Sequence, residues 1–280
     1  MTLILAATPL GNPGDASARL KNAIESASII AAEDSRRFHR LCADIETTFT
    51  GRVLSFFEGN EEERSRELLA ELSSGATVLV VSDAGMPTIS DPGFRLMRDA
   101  IAEGIEVSVI PGPSAVTMSV ALSGLPTDRF SFEGFPPRTA GARLATFEKL
   151  RFEERTMVFF EAPHRLAESL ADAVTAIGGE RQGAICREMT KRYEETIRGT
   201  LSELHNWSLN NEVLGEITLV IAGAPVGDAA ATSADMVARV HEFEGAGMDR
   251  KGAIATVAEE FKIPKKIVYA AVVDANKMSQ

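Results

Sequence analysis

Residues 77–93 read TVLVVSDAGMPTISDPG, and this stretch decides the fold of the first half of the chain. Its β-branched start predicts a strand over Thr77–Ser82. The loop that follows, Ser82–Gly93, is longer than the usual strand-to-helix connection of about 2–6 residues. Similar short runs alternate with helical patterns on either side, and we predict strands in them at Leu3–Ala7, Ser28–Ala32, Val53–Phe57 and Val107–Ile110. This alternation predicts βαβ units and a mostly parallel sheet.

A second set of strands is predicted after Ile110, where the character of the sequence changes. These strands cover Phe130–Phe135, Thr156–Ala162, Ala184–Met189 and Glu216–Gly223. Helices lie between them, notably over His164–Ile177. The small residues of Ala222–Asp235 have the composition of a linker, and beyond them apolar residues recur at helical spacing. We therefore predict an α/β fold made of two α/β domains, residues 1–112 and 113–225, followed by a small helical tail over residues 233–280.

Local signals predict where helices of the first half begin and end. Asp15 can cap the first helix, and Asn60 with Glu63 forms the pattern of a capping box. Gly75 and Gly104 stand where a helix needs a residue in the left-handed conformation to stop.

Composition and charge limit the class of protein. Of the 280 residues, 45% are hydrophobic and 25% charged, which excludes a disordered, collagenous or coiled-coil chain. The net charge of −11 repels polyanions at long range, so any contact with nucleic acid requires a local basic patch. The two cysteines, Cys42 and Cys186, have no metal-ligand or redox spacing, which argues against a zinc site or a disulfide framework and fits a reducing cytoplasm. No apolar run reaches the about 18–20 residues that span a bilayer, and the N-terminus reads as a strand rather than a signal peptide.

Three loops follow the carboxyl ends of predicted parallel strands and so open onto the same edge of one sheet. They are Thr8–Asp15, Ser82–Gly93 and Pro111–Ala115. Neither the dinucleotide pattern GxGxxG nor the phosphate-binding pattern GxxxxGK[ST] occurs in them. In the longest loop, Asp83 can accept a hydrogen bond from a hydroxyl or an amine, and Gly85 lets a ligand approach the main chain.

Each loop taken alone also has a purely structural explanation. The first can be a plain turn, while Asp91 and Ser114 can serve as helix caps in the other two. The shared edge is what indicates a ligand site.

Eight motifs occur in order along the chain: TPLGN, EDSR, SDAGMPTISDPG, PGPSA, GLPTDRFSFEGF, EAPHRL, REMTK and GEITLVI. Together they resemble the tetrapyrrole methylase superfamily from about Leu3 to Gly223. Within it, EDSR, DRFSFEGF and EAPHRL resemble the small-subunit ribosomal RNA cytidine 2′-O-methyltransferases. The sequence departs from that pattern at Phe56–Glu61, where relatives often carry a histidine, and at Met86, where a threonine is more usual.

The resemblance implies two α/β domains of the tetrapyrrole methylase fold that bind S-adenosylmethionine in the cleft between them, in a cytoplasmic protein that is usually a homodimer. Carried over residue by residue, it assigns donor binding to Pro9, Leu10, Gly11, Asp83, Ala84, Gly85, Met86, Ile89, Ser114 and Ala115 of the first domain, and to Glu133, Phe135, Met189, Gly215, Glu216 and Ile217 of the second.

The donor already carries an activated methyl group, so the protein chiefly has to place a ribose hydroxyl in line with it and exclude water. A general base can help as the hydroxyl proton leaves. The candidates are Asp34, Glu161 and Glu188, with Lys191 able to lower the proton affinity of the hydroxyl instead. For each of them a surface charge or an ion pair is the alternative, and the sequence does not choose among them.

Basic residues that can grip phosphates cluster in several places despite the acidic total. The candidates for RNA binding are Arg36, Arg37, Arg40, Arg138, Arg143, His164, Arg165, Arg187 and Arg192. In the tail, Lys262, Lys265 and Lys266 surround Pro264, and the tail fits RNA docking and dimer support equally well.

The leading hypothesis is an enzyme that methylates the 2′-oxygen of a cytidine in small-subunit (16S) ribosomal RNA, on the assembled or nearly assembled small ribosomal subunit. Shape and 2′-hydroxyl contacts are the usual mode of recognising structured RNA. One alternative is a methyltransferase of the same fold that acts on a porphyrinoid or another small molecule. Another is a non-catalytic module that binds the donor or RNA.

Overall fold

The computed structural model describes residues 1–225, 233–261 and 263–278. The chain forms two compact units, Met1–Gly223 and Ala224–Gln280. The predicted division of the first unit at residue 112 stays a prediction. Residues 226–232 of the predicted linker and Lys262 lie outside the described residues.

The first sheet of the first unit is five-stranded and fully parallel, as predicted from the βαβ alternation, with strand order β3-β2-β4-β1-β5. Its strands are β1 (Thr2–Ala6), β2 (Ile29–Ala32), β3 (Arg52–Ser55), β4 (Thr77–Val81) and β5 (Glu106–Ile110). The helices that connect them are α1 (Ala18–Ser26), α2 (Ser35–Asp44), α3 (Glu61–Ser73) and α4 (Phe94–Ala102). Because β4, β1 and β5 are neighbours, the three loops that follow them start side by side.

Helices cover both faces of this sheet, so it is buried on both sides. Leu3 and Leu5 of β1 pack with the apolar faces of α3 and α4, whereas Ala6 packs with those of α1 and α2. The alternation follows from the two-residue period of a strand. A parallel sheet buried in this way leaves its strand ends as the natural place for a ligand.

The second sheet has the order β6-β7-β10-β8-β9, and only β6 and β7 pair in parallel. Its strands are β6 (Phe130–Gly134), β7 (Thr156–Glu161), β8 (Gln182–Arg187), β9 (Glu195–Thr200) and β10 (Ile217–Ile221). Its helices are α5 (Ala115–Ser123), α6 (Ala140–Lys149), α7 (Leu166–Ile177) and α8 (Leu201–Asn210). The sequence does not predict strand β9, because ETIRGT is polar, contains a glycine and lies partly exposed at the sheet edge.

Four predicted caps differ from the structure, and one of them, Ser114, holds the N-cap position of α5 without a side-chain hydrogen bond to the helix. Ser17, not Asp15, caps α1, because its hydroxyl accepts a hydrogen bond from Leu20 N at 3.1 Å while Asp15 lies in a short 3₁₀ turn. Asn60 occupies the N-cap position of α3, but its side chain binds Phe57 N and Ser55 O instead of the helix. Asp91 does not cap α4, whose N-cap is Gly93. Short polar side chains compete for many nearby main-chain groups, so their spacing alone does not decide which bond forms.

The second unit consists, in its described part, of three helices: α9 (Ser233–Gly245), α10 (Arg250–Glu260) and α11 (Lys265–Met278). This confirms the helical pattern predicted for the tail. Asp249 caps α10, and Ala253 and Val257 are fully buried. Across residues 1–225, 233–261 and 263–278, no helix has the length and apolar character that crossing a membrane requires.

Candidate active site

The loops that follow β1 and β4 are joined by their main chains. Thr8 N donates to Gly85 O at 2.9 Å, Gly85 N donates to Thr8 O at 3.1 Å, and the Thr8 hydroxyl donates to Ser82 O at 3.2 Å. The third loop lies equally close, since a β-carbon on Gly112 would stand 2.8 Å from the β-carbon of Ala7. The three loops are therefore fixed against one another at one edge of the first sheet, as the strand order predicts.

These loops form one wall of a cavity of about 390 Å³ whose other wall comes from the second sheet. Most residues that the resemblance assigned to the donor line it: Leu10, Asp83, Ala84, Gly85, Met86, Ile89, Ser114, Ala115, Phe135, Gly215, Glu216 and Ile217. Pro9, Gly11, Glu133 and Met189 do not line it. Pro9 and Gly11 flank Leu10, and Met189 is buried.

Several cavity residues were not assigned to the donor from the sequence. They are Glu33, Arg37, Ser90, Asp91, Val116, Phe160, Glu161, Ala162, Pro163 and Thr218. Arg37 was predicted for RNA and Glu161 as a base, while the others were not singled out as ligands. The position of two groups in the sequence could have predicted their place in the cavity. Glu33 directly follows β2, and Phe160–Pro163 stands at the end of β7, so both lie at the edge of a sheet where ligands bind.

Carboxylates dominate the wall from the first sheet, and two of them accept hydrogen bonds from main-chain amides. Asp83 N donates to Glu33 Oε2 at 3.1 Å, and Asp34 N donates to Asp83 Oδ1 at 3.0 Å. Arg37 Nη1 pairs with Asp83 Oδ2 at 3.2 Å. Burial raises the pKa of both Glu33 and Asp83, and the amide bonds and Arg37 offset this only in part.

Asp91 is the third carboxylate of this wall. Burial, together with the negative charge of Glu33, raises its pKa to about 7, and the nearby Ser82 hydroxyl acts in the opposite direction. Its loop contains two non-glycine residues with positive φ, Thr88 at 76° and Ser90 at 64°. Such conformations cost about 1–3 kcal/mol each and are concentrated at functional sites.

Glu161 lines the cavity from the second sheet, but its carboxylate is fully buried and its oxygens are already engaged. Oε1 accepts from Ala162 N at 2.8 Å and lies 3.4 Å from Arg165 Nη1, while Oε2 accepts from the Ser169 hydroxyl. Arg165 also donates to Pro136 O at 2.7 Å. Glu161 therefore ties the end of β7 to α7 and to the loop after β6.

Glu188, Lys191 and Glu216 form a network beside the cavity. Lys191 Nζ lies 2.8 Å from Glu188 Oε1 and 3.0 Å from Glu216 Oε2, and Glu216 N donates to Glu188 Oε1 at 3.0 Å. Burial alone would raise the pKa of Glu188, but the bonds from Lys191 and the Glu216 amide lower it. Burial likewise opposes protonation of Lys191, and the two carboxylates outweigh it and raise its pKa. This network holds a permanent cation rather than a free base.

Asp34 serves as the N-cap of α2 and does not line the cavity. Its Oδ1 accepts from Arg36 N at 2.8 Å, and its Oδ2 pairs with Arg36 Nη2 at 3.0 Å. Bonds from the Arg36 side chain and amide lower its pKa to about 2. A carboxylate held so firmly in its ionised form is a weak proton acceptor.

The predicted RNA-binding residues fall into two groups. Arg36, Arg37, Arg40, Arg138, His164 and Arg192 are exposed. The prediction that Arg143 binds RNA is wrong. Its side chain is only 2% exposed and pairs with Asp172 at 2.7 Å and with Glu168 at 3.3 Å, so it stabilises the packing of α6 on α7. Arg165 and Arg187 are only partly exposed and are ion-paired.

The model of the family Tetrapyrrole (Corrin/Porphyrin) Methylases matches residues 2–205, from β1 to the first turn of α8. The chain belongs to this family. Within it, the protein is 50% identical over 256 residues to "Ribosomal RNA small subunit methyltransferase I" of Mycobacterium bovis, a match that spans 91% of this chain and 88% of that protein.

Two solved structures share the fold of this family member. The methyltransferase CobJ superposes with a TM-score of 0.61 at 16% identity, over 80% of this chain and 94% of that one. Uroporphyrin-III C-methyl transferase from Thermus thermophilus, complexed with S-adenyl homocysteine, gives a TM-score of 0.53 at 17% identity, over 79% and 96%.

Of the two free cysteines, both are buried, and burial raises the pKa of Cys42 to about 11. In the part of the chain that the structure describes, no three His, Cys, Asp or Glu side chains are arranged to hold a metal ion.

Proposed function

We propose that this enzyme transfers a methyl group from S-adenosylmethionine to the 2′-oxygen of a cytidine in small-subunit ribosomal RNA. The observation that carries the proposal is the 50% identity over 91% of the chain to a protein named for methylation of small-subunit ribosomal RNA. The cavity at the strand ends, shared between the two sheets, supplies the matching site.

The residues of the cavity fit the donor. A volume of about 390 Å³ lies in the range of small-molecule sites, about 300–1,000 Å³. The charged residues that line it in the described chain are Glu33, Arg37, Asp83, Asp91, Glu161 and Glu216, an excess of carboxylates. The donor carries a sulfonium and an ammonium against one carboxylate, so this excess favours it electrostatically.

Two further features suit the remaining parts of the donor. The ring of Phe135 lies 5.7 Å from that of Phe160 and remains 54% exposed, which offers a stacking surface for adenine. Ala115 and Val116 open α5, whose first-turn amides can bind the donor carboxylate. S-adenosylmethionine supplies the electrophilic methyl group, and the chain supplies orientation and exclusion of water.

RNA contact requires a local basic surface on an acidic protein. The exposed arginines 36, 37 and 40 occupy α2, which begins directly after β2 and next to Glu33 of the cavity. Arg36 and Arg40 pair with Asp34 and Asp44 at the surface, and such exposed pairs are weak enough to exchange for phosphates, whereas Arg37 pairs with Asp83 of the cavity. We further propose that the protein is cytoplasmic and forms a homodimer, and that the small ribosomal subunit docks on its basic faces. Sedimentation equilibrium tests the dimer.

The experiment compares small-subunit RNA from cells with and without the gene by mapping 2′-O-methylation. Loss of one cytidine methylation, restored by the purified protein and labelled donor on isolated small subunits, supports the proposal. Uroporphyrinogen serves as the competing substrate, because the fold is shared with porphyrin methylases. An unchanged map, or methyl transfer to uroporphyrinogen alone, overturns the RNA assignment.

A further inference from the structure

We propose that Asp91 is the general base of this site and accepts the proton of the ribose hydroxyl as it is methylated. The inference deepens the proposed function and rests on it. The carboxylates on the cavity differ in what already occupies them, and that difference singles out Asp91.

Four of the five carboxylates that line the cavity in the described chain are committed to protein partners. Glu161 is bound by Ser169, Arg165 and a main-chain amide. Glu216 pairs with Lys191, and Asp83 pairs with Arg37 and the Asp34 amide. Glu33 accepts the Asp83 amide. A base must offer an oxygen lone pair to the substrate proton, which these contacts restrict.

Asp91 has none of these commitments. Among the described residues it has no ion pair and no main-chain amide donor, and the nearby Ser82 hydroxyl, which lowers its pKa, donates to Gly85 O at 3.2 Å. Asp91 also does not cap α4. Glu61 of α3 accepts hydrogen bonds from the amides at the start of that helix, Gly93 N at 2.9 Å and Arg95 N at 3.4 Å. Asp91 therefore lines the cavity with a carboxylate that no ion pair or main-chain amide of the described residues occupies.

The groups that face Asp91 determine when it is ionised. Burial, Glu33 and Asp83 favour its protonated form, and the Ser82 hydroxyl favours the carboxylate. Arg37, the cation on this wall, pairs with Asp83 instead. The resulting pKa of about 7 places the group near the optimum for a base at neutral pH, and its basic form increases as the pH rises through that value.

The step balances with the two substrates alone. A bond forms between the ribose 2′-oxygen and the methyl carbon, the bond between that carbon and sulfur breaks, and its electron pair stays on sulfur. The proton of the hydroxyl passes to a carboxylate oxygen of Asp91 and then to water. The products are the methylated ribose and neutral S-adenosylhomocysteine, with no oxidant or reductant required.

The test uses single-turnover methylation of isolated small subunits by the full-length protein between pH 5.5 and 9. For the wild type, the rate constant should rise with pH to a plateau through an inflection near 7. Asp91→Asn should lower the plateau by about 10²- to 10⁴-fold, the usual contribution of a general base. Its affinity for S-adenosylmethionine, measured by calorimetry, should stay within threefold. Asp99→Asn, on α4 and outside the cavity, is the matched control and should behave as wild type.

Two neighbouring variants should move the inflection in opposite directions. Ser82→Ala removes the hydroxyl that favours the ionised carboxylate and should shift the inflection to higher pH, whereas Glu33→Gln removes a negative charge and should shift it to lower pH. A residue with only a structural role would not give this pair of shifts.

The outcomes separate this inference from the function on which it rests. Absence of methylation by the wild type contradicts the proposed function. Methylation by the wild type with Asp91→Asn less than tenfold slower, or with the inflection unmoved in both neighbouring variants, overturns the role of Asp91 alone. A loss of donor affinity in Asp91→Asn that accounts for the lost rate makes Asp91 a donor ligand and likewise overturns it.

Discussion

Lys191 crosses the main chain of Gly11 so closely that a β-carbon on Gly11 would lie 2.3 Å from Lys191 Cγ. The contact joins the loop after β1 to the loop between β8 and β9. The Lys191 ammonium is held by two carboxylates, so its stem cannot swing aside without breaking ion pairs. The glycine of the TPLGN motif is therefore explained by a neighbour that is 180 positions away in sequence.

Gly11→Ala should weaken donor binding, because the loop that carries Leu10 into the cavity must move or Lys191 must leave Glu188 and Glu216. We expect an increase of about tenfold in the dissociation constant of S-adenosylmethionine, equivalent to about 1.4 kcal/mol. Isothermal titration calorimetry measures it. Gly141→Ala is the control, since a β-carbon there meets nothing within 4 Å. Equal affinity of the two variants would contradict the role assigned to this contact.

Lys191→Met should reduce stability in a pH-dependent way. The bond from Lys191 lowers the pKa of Glu188, so its contribution is present above the unfolded pKa of a glutamate, about 4.3, and is lost as the pH falls through the lower folded value. Because Lys191 is 26% exposed, the loss at pH 7 should be only about 1 kcal/mol.

Urea denaturation at several pH values measures this difference in the free energy of unfolding. The gap between wild type and Lys191→Met should be full at pH 7 and should shrink below pH about 4. Lys149→Met, at an exposed position near the end of α6, is the control. A gap that stays constant down to pH 3 would show that the ion pairs are not its source.

Arg143 and Arg36 should separate folding from RNA binding, although the sequence placed both in the RNA set. Arg143→Ala leaves Asp172 without its buried partner and should cost about 2 kcal/mol of stability, as expected for hydrogen bonds to charged groups. Arg36→Ala, at an exposed site, should leave the unfolding midpoint unchanged and raise KM for small subunits severalfold at low salt, with a smaller effect at high salt. The reverse pattern would return Arg143 to the RNA surface.

The comparison of these two arginines shows what the sequence could and could not predict. The parallel direction of the strands follows from the βαβ alternation, so the opening of the loops at Thr8, Gly85 and Ser114 onto one sheet edge was predictable. Partners of charged side chains depend on distances between elements, and nothing in the local sequence reveals that Arg143 meets Asp172. For the same reason the sequence did not single out Asp91. It could equally have been the cap of α4, and only the structure shows that Glu61 of another helix bonds the amide of Gly93 instead.

Phe135→Ala should weaken donor binding through lost stacking. The ring is 54% exposed, lines the cavity and packs edge-on against Phe160, which in turn lies 4.8 Å from Phe132. The three rings fix one another, so Phe135 offers a rigid face at little entropic cost. Removing a ring stacked on a base costs about 1–3 kcal/mol. This predicts an increase of about 5- to 150-fold in the dissociation constants of both S-adenosylmethionine and S-adenosylhomocysteine. Phe94→Ala, an exposed ring that does not line the cavity, is the matched control. Because both ligands contain adenine, a change confined to one of them would place Phe135 against another part of the site.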